Sequence, residues 1–393
     1  MSVCGLSKKR LKRVTECMNR YVERGDVSGA VALVCRHGEA QVAAVGTLDR
    51  ETHAPMKANT IFRIMSMTKP ILAIAALILV EEGRIRLDDP VDAWLPELSD
   101  RKLLRSIDST LDDVVSANRA ITLRDLLTLR FGLGAIMEPP GRYPIQLALS
   151  DDEVAPVPDP VPWSPEEYIK RLGRLPLIHQ PGERWMYHTG FDVLTVLLAR
   201  VADQPVEDFL NERLFAPLEM KDTAFSVPAS KLNRLATAYR PDGSVFDPAR
   251  GGHYANAPAF PSQLVSTADD YLKFALMLLA FGRHGATRIV SRPAIELMIT
   301  DQITQAQKNA SPFFPGFWEQ NGWGFGVSMT TRRDAIGANP GRYGWDGGLG
   351  TTWRSDPRED MVVLVLRQRT MQSPDDAQLG EDVLTMAYQA IDD

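Results

Sequence analysis

A serine and a lysine stand three positions apart at Ser66 and Lys69, directly before an apolar run from residue 71 to residue 80. The run is shorter than the ~20 residues that cross a bilayer, so it predicts a helix buried in a large core. The strand-like residues 60–64 lead into this helix and place Ser66 at a strand-to-helix corner. Because positions i and i+3 share one face of a helix, the ammonium of Lys69 can reach the hydroxyl of Ser66.

This pair of residues is suited to nucleophilic catalysis. A serine hydroxyl attacks well only after a neighbouring base has taken its proton. A lysine can be that base if burial and the positive end of a helix lower its pKa, and the same helix end offers N–H groups to an oxyanion. The pattern is short and also fits a helix cap followed by a surface lysine, so other segments must support the catalytic interpretation.

Two further segments could complete such a site. A serine with a lysine base needs a proton donor for the leaving group, and Tyr187 lies between a Pro-Gly turn and a predicted helix. Cationic neighbours such as Lys69 could lower its pKa, although a core tyrosine bonded to backbone fits this position as well. The glycines between Gly344 and Gly350 start a strand, which is typical of a close backbone or ligand approach. A backbone N–H of these glycines could be a second hydrogen-bond donor to the oxyanion. The alternative is that the segment is only a glycine-rich turn.

Composition argues against several other classes of protein. The chain has 393 residues, 44% of them hydrophobic, and a net charge of −6, whereas nucleic-acid binders usually present a strongly basic face. The basic first ten residues have no apolar segment after them, and the three cysteines match no metal-binding pattern. We therefore predict a cytoplasmic protein without disulfides. The six histidines are scattered, so we expect no metal, no cofactor, no nucleic acid and no membrane partner.

The predicted elements divide the chain into two domains. Hydrophobic patterns indicate an antiparallel hairpin over 28–45, further strands at 324–330, 349–354 and 361–366, and amphipathic helices at both ends. The predicted α/β domain comprises residues 1–86 and 221–393, and residues 87–220 form a mainly helical domain. Inside the helical domain, the Pro-rich residues 136–163 predict a loop without long helices, which is either a wall or lid of the binding site or a disordered insert.

In their order and separation, the three segments resemble the signature of the serine β-lactamase and penicillin-binding-protein superfamily. That signature is Ser-x-x-Lys, then Tyr-x-Asn or Tyr-Ser-x, then Lys-Thr-Gly or His/Trp-x-Gly. The corresponding segments here are Ser66-Met67-Thr68-Lys69, Tyr187-His188-Thr189 and Trp345-Asp346-Gly347. The likeness extends from about residue 28 to residue 390, and the tryptophan is typical of the class C-like esterases called family VIII carboxylesterases.

The resemblance implies a fold and a role for single residues. The fold is α+β and β-lactamase/transpeptidase-like, with an antiparallel sheet flanked by N- and C-terminal helices, an all-helical insertion domain, and the active site between them. Ser66 would be the nucleophile, Lys69 its base, and Tyr187 the coupled acid for the leaving alcohol. The N–H groups of Ser66 and Gly348 would form the oxyanion hole. The residues implied for substrate binding are Trp345, Asp346, Gly347 and Thr189.

These features predict a serine hydrolase that cleaves short-chain carboxylic esters through an acyl-enzyme on Ser66. We expect β-lactams to be poor substrates, because Trp345 replaces a lysine that would bind their carboxylate and Asp346 would repel it. The alternatives are an acyltransferase of the same fold, a weak β-lactamase, and a catalytically inactive binding protein. The expected partner is a small-molecule ester, and the oligomeric state stays open.

Overall fold

The computed structural model describes residues 2–157, 159–246, 260 and 263–393. Within these residues, seven strands form one antiparallel sheet of order β3-β4-β5-β6-β7-β1-β2. The strands are β1 (Gly29–Arg36), β2 (Glu39–Gly46), β3 (Asn321–Trp323), β4 (Ser328–Thr330), β5 (Tyr343–Gly347), β6 (Thr351–Asp356) and β7 (Met361–Arg367). The last strand of the chain thus pairs with the first, so two distant parts of the sequence share one sheet.

The helices are distributed along the whole chain. In order they are α1 (Lys8–Glu23), α2 (Thr68–Glu81), α3 (Leu123–Leu127), α4 (Pro144–Asp151), α5 (Pro165–Arg174), α6 (Thr189–Ala202), α7 (Val206–Leu210), α8 (Ala268–Leu279), α9 (Arg292–Met298), α10 (Gln305–Ala310), α11 (Phe317–Gln320) and α12 (Gln378–Tyr388). Short 3₁₀ or π turns cover Met65–Met67, Val91–Ala93, Pro96–Leu98, Asn211–Phe215 and Ala229–Arg234. Two-stranded pairs join Ser2–Val3 to Leu6–Ser7, Phe62–Arg63 to Val265–Ser266, Lys102–Leu104 to Val114–Ser116, and Arg283–His284 to Thr287–Arg288.

The sheet separates two hydrophobic cores. Successive side chains of a strand point to opposite faces, and in the buried strand β1 Val31 and Leu33 belong to the larger core, whereas Ala32 and Val34 belong to the smaller one. Helices α1 and α12 cover the smaller core, so the two ends of the chain pack on one face. The larger core includes nearly all of α2, as the apolar run from residue 71 predicted.

Several local predictions differ from the structure. Residues 136–163 contain the eight-residue helix α4, because Pro144 occupies its first turn, where a missing N–H costs nothing. Residues 324–330, predicted as one strand, instead include the turn that joins β3 to β4 and allows both to pair. The predicted strand at 60–64 is only Phe62–Arg63 and pairs outside the main sheet.

Two expectations from the sequence stay predictions. The boundaries at residues 86 and 221 are untested, and residues 158, 247–259 and 261–262 of the predicted regions lie outside the described part of the chain. Among the described residues, no helix is both long and apolar enough to cross a membrane. The cytoplasmic location also stays a prediction.

Candidate active site

The nucleophile candidate lies at a strained corner. Ser66 occupies the 3₁₀ turn that leads into α2, and the preceding Met65 has a φ of +48°, a left-handed conformation that a bulky residue rarely adopts. The carbonyl oxygen of Ile64 accepts hydrogen bonds from the N–H of Met67 and, at 3.3 Å, from the hydroxyl of Thr351. These bonds hold the turn against the start of β6, and Ser66 remains half-buried at a cavity wall.

Lys69 is placed to take the proton of Ser66. Its Nζ donates a hydrogen bond of 3.0 Å to Ser66 Oγ, and the side chain is buried at the start of α2. Burial lowers the pKa of Lys69 from 10.5 to about 8, and the charge of Asp192 opposes that shift. A buried ammonium is costly because it has lost its water, so a neutral amine becomes accessible near neutral pH.

Tyr187 completes a compact group around the serine. Trp345 Nε1 donates a 2.7 Å hydrogen bond to the Tyr187 hydroxyl, and Lys69 Nζ lies 4.9 Å from the centre of the Tyr187 ring. Burial raises the pKa of Tyr187, and this outweighs the opposite effect of its contacts with Ser66 and Trp345. The expectation of a lowered tyrosine pKa is therefore wrong, because burial favours the neutral, protonated hydroxyl.

The two glycines at the end of β5, Gly347 and Gly348, have different functions. A Cβ at Gly347 would collide with the carbonyl oxygen of Ile64, so this glycine allows β5 to approach the Ser66 corner. Gly348 has open space around it and lies with Ser66 in the cavity wall. Among the described residues, no acceptor takes a hydrogen bond from the N–H of Gly348. That N–H is available to an oxyanion, whereas Gly347 has a packing function.

Two cavities meet at the serine. Both are lined by Ser66, Tyr187, Phe313 and Gly348. The larger cavity has a volume of about 450 Å³, and its lining includes both aromatic and charged side chains. The smaller cavity has a volume of about 220 Å³. Its other lining residues include Lys69, Leu72, Met137, Pro156, Val157, His188, Phe191 and Asp192.

Two predicted substrate contacts differ from expectation. Arg354 binds both carboxylate oxygens of Asp346 at 2.8 Å, so the expected repulsion of a substrate carboxylate by Asp346 is wrong. Thr189 is buried at the first position of α6 and lines neither cavity. The neighbouring His188 lines the smaller cavity instead, together with Asp192, which follows it by one helical turn. The i, i+4 spacing of His188 and Asp192 was visible in the sequence and could have indicated this contact, but it was missed.

A second Ser-x-x-Lys in the sequence shows how little the pattern means by itself. Ser99 Oγ donates to the carbonyl of Pro96 at 2.8 Å, and Lys102 Nζ donates to Ser116 Oγ at 2.8 Å. Both bonds are on the surface, and neither residue contacts the other through these groups. Within the described part of the chain, no cluster of histidine, cysteine and acidic residues is arranged to hold a metal ion.

The fold and the Ser-Lys-Tyr group define a protein of the β-lactamase/transpeptidase-like superfamily. The profile of the beta-lactamase family matches residues 14–384, so the chain belongs to that family. The recognition made from the three segments and the predicted fold class are confirmed.

Individual relatives include esterases. Esterase EstB of Burkholderia gladioli is 30% identical over 359 residues, which cover 86% of this chain and 85% of that protein. Protein Rv1367c of Mycobacterium tuberculosis is 36% identical over 359 residues, covering 88% and 87%. The solved structure of EstCE1, described as a hydrolase with promiscuous acyltransferase activity, has a TM-score of 0.76 at 24% identity over 97% of this chain and 99% of that chain. The chain therefore has a serine-hydrolase-type fold and is an esterase-like member of the family.

Proposed function

We propose that this protein is a carboxylesterase of the family VIII type, which hydrolyses short-chain esters through an acyl-enzyme on Ser66. The observation that carries the proposal is the 3.0 Å hydrogen bond between Lys69 and Ser66, at a lysine whose pKa is lowered to about 8. An ordinary lysine is almost fully protonated at neutral pH and cannot accept the serine proton. The similarity to esterase EstB and the tryptophan at position 345 support the same assignment.

Acylation begins when neutral Lys69 takes the proton of Ser66. The serine oxygen attacks the ester carbonyl carbon, and the N–H groups of Ser66 and Gly348 stabilise the oxyanion. Tyr187 protonates the leaving alkoxide and recovers a proton from the Lys69 ammonium. Its raised pKa suits this donor role, because the hydroxyl keeps its proton until the alkoxide needs it.

The larger cavity supports a preference for short acyl chains. Phe313 and Trp345 pack against the ring of Tyr187 and, with Phe317, form a wall that suits an apolar group. The same cavity is also lined by the Asp346–Arg354 ion pair and by Arg342. A long apolar chain would remove water from these charges without replacing it, which is unfavourable. The Pro-rich segment contributes Pro156 and Val157 to the other cavity, where the alcohol would bind.

The tryptophan at position 345 favours neutral esters over β-lactams as substrates. A lysine at this position would give the β-lactam carboxylate a charge-assisted hydrogen bond. Trp345 carries no charge, and its only N–H already donates to Tyr187. Of the two arginines that line the larger cavity, Arg354 is occupied by Asp346, and Arg342 donates a hydrogen bond to the carbonyl oxygen of Gly337. A substrate carboxylate therefore gains little binding free energy here, and a neutral ester loses none by lacking that carboxylate.

A panel of p-nitrophenyl esters from acetate to decanoate, measured beside nitrocefin, tests this proposal. We expect the highest kcat/KM for acetate or butyrate, and labelling of the wild type but not of Ser66→Ala by a fluorophosphonate. A β-lactam kcat/KM equal to that of the butyrate ester would contradict the substrate assignment. Absence of labelling at Ser66 would contradict the mechanism and favour an inactive binding protein.

Acyl transfer to an alcohol is the second candidate. The two cavities that meet at Ser66 can hold an acyl group and an acceptor at the same time, and the description of EstCE1 names promiscuous acyltransferase activity. Chromatography of the products formed from p-nitrophenyl butyrate and a small added alcohol separates the two functions. Butyrate as the main product supports hydrolysis, and a butyryl ester as the main product supports transfer.

A further inference from the structure

The smaller cavity contains a histidine–carboxylate pair that the steps above do not use. His188 follows Tyr187 directly and lines this cavity together with Ser66 and Lys69. Its Nε2 lies 3.3 Å from Oδ2 of Asp192, and their side chains are 18% and 11% exposed. A histidine oriented by a carboxylate is a recurrent arrangement for taking a proton from an attacking oxygen.

The backbone at His188 is strained. Its φ of 86° and ψ of −76° lie in a γ-turn region that residues other than glycine rarely occupy. Such strain persists only where the surrounding structure enforces it, and it is concentrated at functional sites. Because α6 begins at Thr189, the strained turn keeps His188 outside the helix and in the cavity wall.

Asp192 is held in place by its own contacts. The hydroxyl of Tyr168 donates to Asp192 Oδ2 at 3.4 Å, and Asp192 is buried in the first turn of α6. Because Nε2 of His188 lies 3.3 Å from this carboxylate, we assign the proton of the neutral ring to Nε2, which leaves Nδ1 as the proton acceptor. The carboxylate also stabilises the imidazolium that forms when Nδ1 accepts a proton.

We propose that His188, oriented by Asp192, is the general base for deacylation. This step rests on the proposed acyl-enzyme at Ser66. When the alcohol leaves the smaller cavity, a water molecule replaces it there and faces the acyl carbon. Lys69 and Tyr187 serve Ser66 Oγ, which must be protonated as it leaves, so a separate base for the water divides the two proton transfers between two groups.

The step balances in atoms and charge. The water oxygen forms a bond to the acyl carbon while its proton moves to Nδ1 of His188. The bond between the acyl carbon and Ser66 Oγ then breaks, and Oγ takes a proton from Tyr187. The imidazolium releases its proton to solvent, from which Tyr187 recovers one. The products are the carboxylic acid and the free enzyme, with every group in its starting protonation state.

Pre-steady-state kinetics with p-nitrophenyl butyrate test the assignment in His188→Asn and His188→Gly. Asparagine and glycine are the residues best suited to a positive φ, so both variants avoid added backbone strain. We expect kcat to fall on the order of 100-fold, as is typical for loss of a general base, while kcat/KM stays within about threefold. The reason is that kcat/KM reports acylation and kcat reports the slowed deacylation. A burst of p-nitrophenol and a butyryl-Ser66 adduct in the mass spectrum should accompany the loss.

Chemical rescue and a matched control make the test specific. Imidazole added to His188→Gly should restore kcat, because it can occupy the vacated space as a free base. His37, on the exposed β1–β2 turn, is a suitable control, since it also has a positive φ and contacts a carboxylate. Its Nδ1 lies 3.1 Å from Oδ2 of Asp360, which precedes β7. We expect His37→Gly to keep both kinetic parameters and to show no imidazole effect.

Several results would overturn the assignment. One is an unchanged kcat in His188→Asn, and another is a parallel fall of kcat and kcat/KM, which would assign the residue to acylation or to packing. If His188→Gly folds poorly, His188→Asn and Asp192→Asn decide the question, and Asp192→Asn should also slow deacylation. Failure of the proposed function is distinct from these results, because it would be seen as wild-type enzyme whose Ser66 is not labelled by the fluorophosphonate.

Discussion

The two cavities beside Ser66 differ in size and chemistry. The larger one combines an aromatic wall with charged side chains, including Arg342 and the Asp346–Arg354 pair. The smaller one is mostly apolar but contains the His188–Asp192 pair. The difference suggests a division in which the acyl group occupies the aromatic part of the larger cavity, and the alcohol and water enter through the smaller one. The predictions that follow test this division.

The largest expected effect is at the junction of the cavities. Ser66→Ala should abolish ester turnover while the fold is retained, because the side chain is small and lies at the start of α2. Lys69→Ala should lose nearly as much, since residues that act as one unit are not additive. Turnover of p-nitrophenyl butyrate and the circular dichroism spectrum are the measurements. If Ser66→Ala kept more than a few per cent of the activity, the nucleophile would be another residue.

Tyr187→Phe should reduce kcat/KM on the order of 10²- to 10⁴-fold, because it removes the general acid and leaves the ring. Esters with a better leaving group should lose less, since a stable alkoxide needs little protonation. The comparison of p-nitrophenyl butyrate with ethyl butyrate measures this. An equal loss for both esters would mean that Tyr187 positions the substrate instead of protonating the leaving group.

Trp345→Phe should reduce kcat/KM about fivefold. The change keeps an aromatic wall in the larger cavity but removes the 2.7 Å hydrogen bond to Tyr187, which is worth about 1 kcal/mol. Losing that bond raises the pKa of Tyr187 further and makes it a weaker acid. A normal rate in Trp345→Phe would show that the bond has no part in the proton transfer.

The pH profile reports Lys69. Its pKa is lowered to about 8, and only the neutral amine is a base, so kcat/KM for a neutral ester should rise with pH and level off above about pH 8. The charge of Asp192 favours the ammonium form, so Asp192→Asn should move the acid limb to lower pH and raise kcat/KM severalfold at pH 7. The groups that share the cavity with Lys69 are Ser66, Tyr187, His188 and Asp192. An acid limb that stays in place would mean that another group controls it.

The smallest expected effect separates the two cavities directly. Met137 lines the smaller cavity and is 41% exposed, so Met137→Ala enlarges that cavity at little cost in stability. Met137→Ala should raise kcat/KM a few-fold for butyrate esters of longer alcohols, because each additional buried methylene group contributes roughly 0.8 kcal/mol. The dependence of kcat/KM on the length of the acyl chain should stay unchanged. The reverse result, a shift in acyl length, would exchange the assignments of the two cavities. Phe314→Ala is the matched change in the larger cavity.

Local patterns in the sequence were sufficient for much of this protein. The apolar run after Lys69, the i, i+3 spacing of Ser66 and Lys69, and the hairpin of β1 and β2 depend on neighbouring residues alone, and all appear in the structure. The resemblance of the three segments was enough for the fold class. Helix α4 was missed because a proline can begin a helix as well as end one.

The tertiary structure decided which of these residues work together. Ser99 and Lys102 have the same spacing as Ser66 and Lys69, and only burial at the start of α2 gives Lys69 a pKa suited to a base. The same burial raises the pKa of Tyr187, which the sequence suggested would fall. The charge of Asp346 was visible in the sequence, but its neutralisation depends on Arg354 across the β5–β6 pair. Desolvation and cross-strand contacts are properties of the packed chain, so no local pattern contains them.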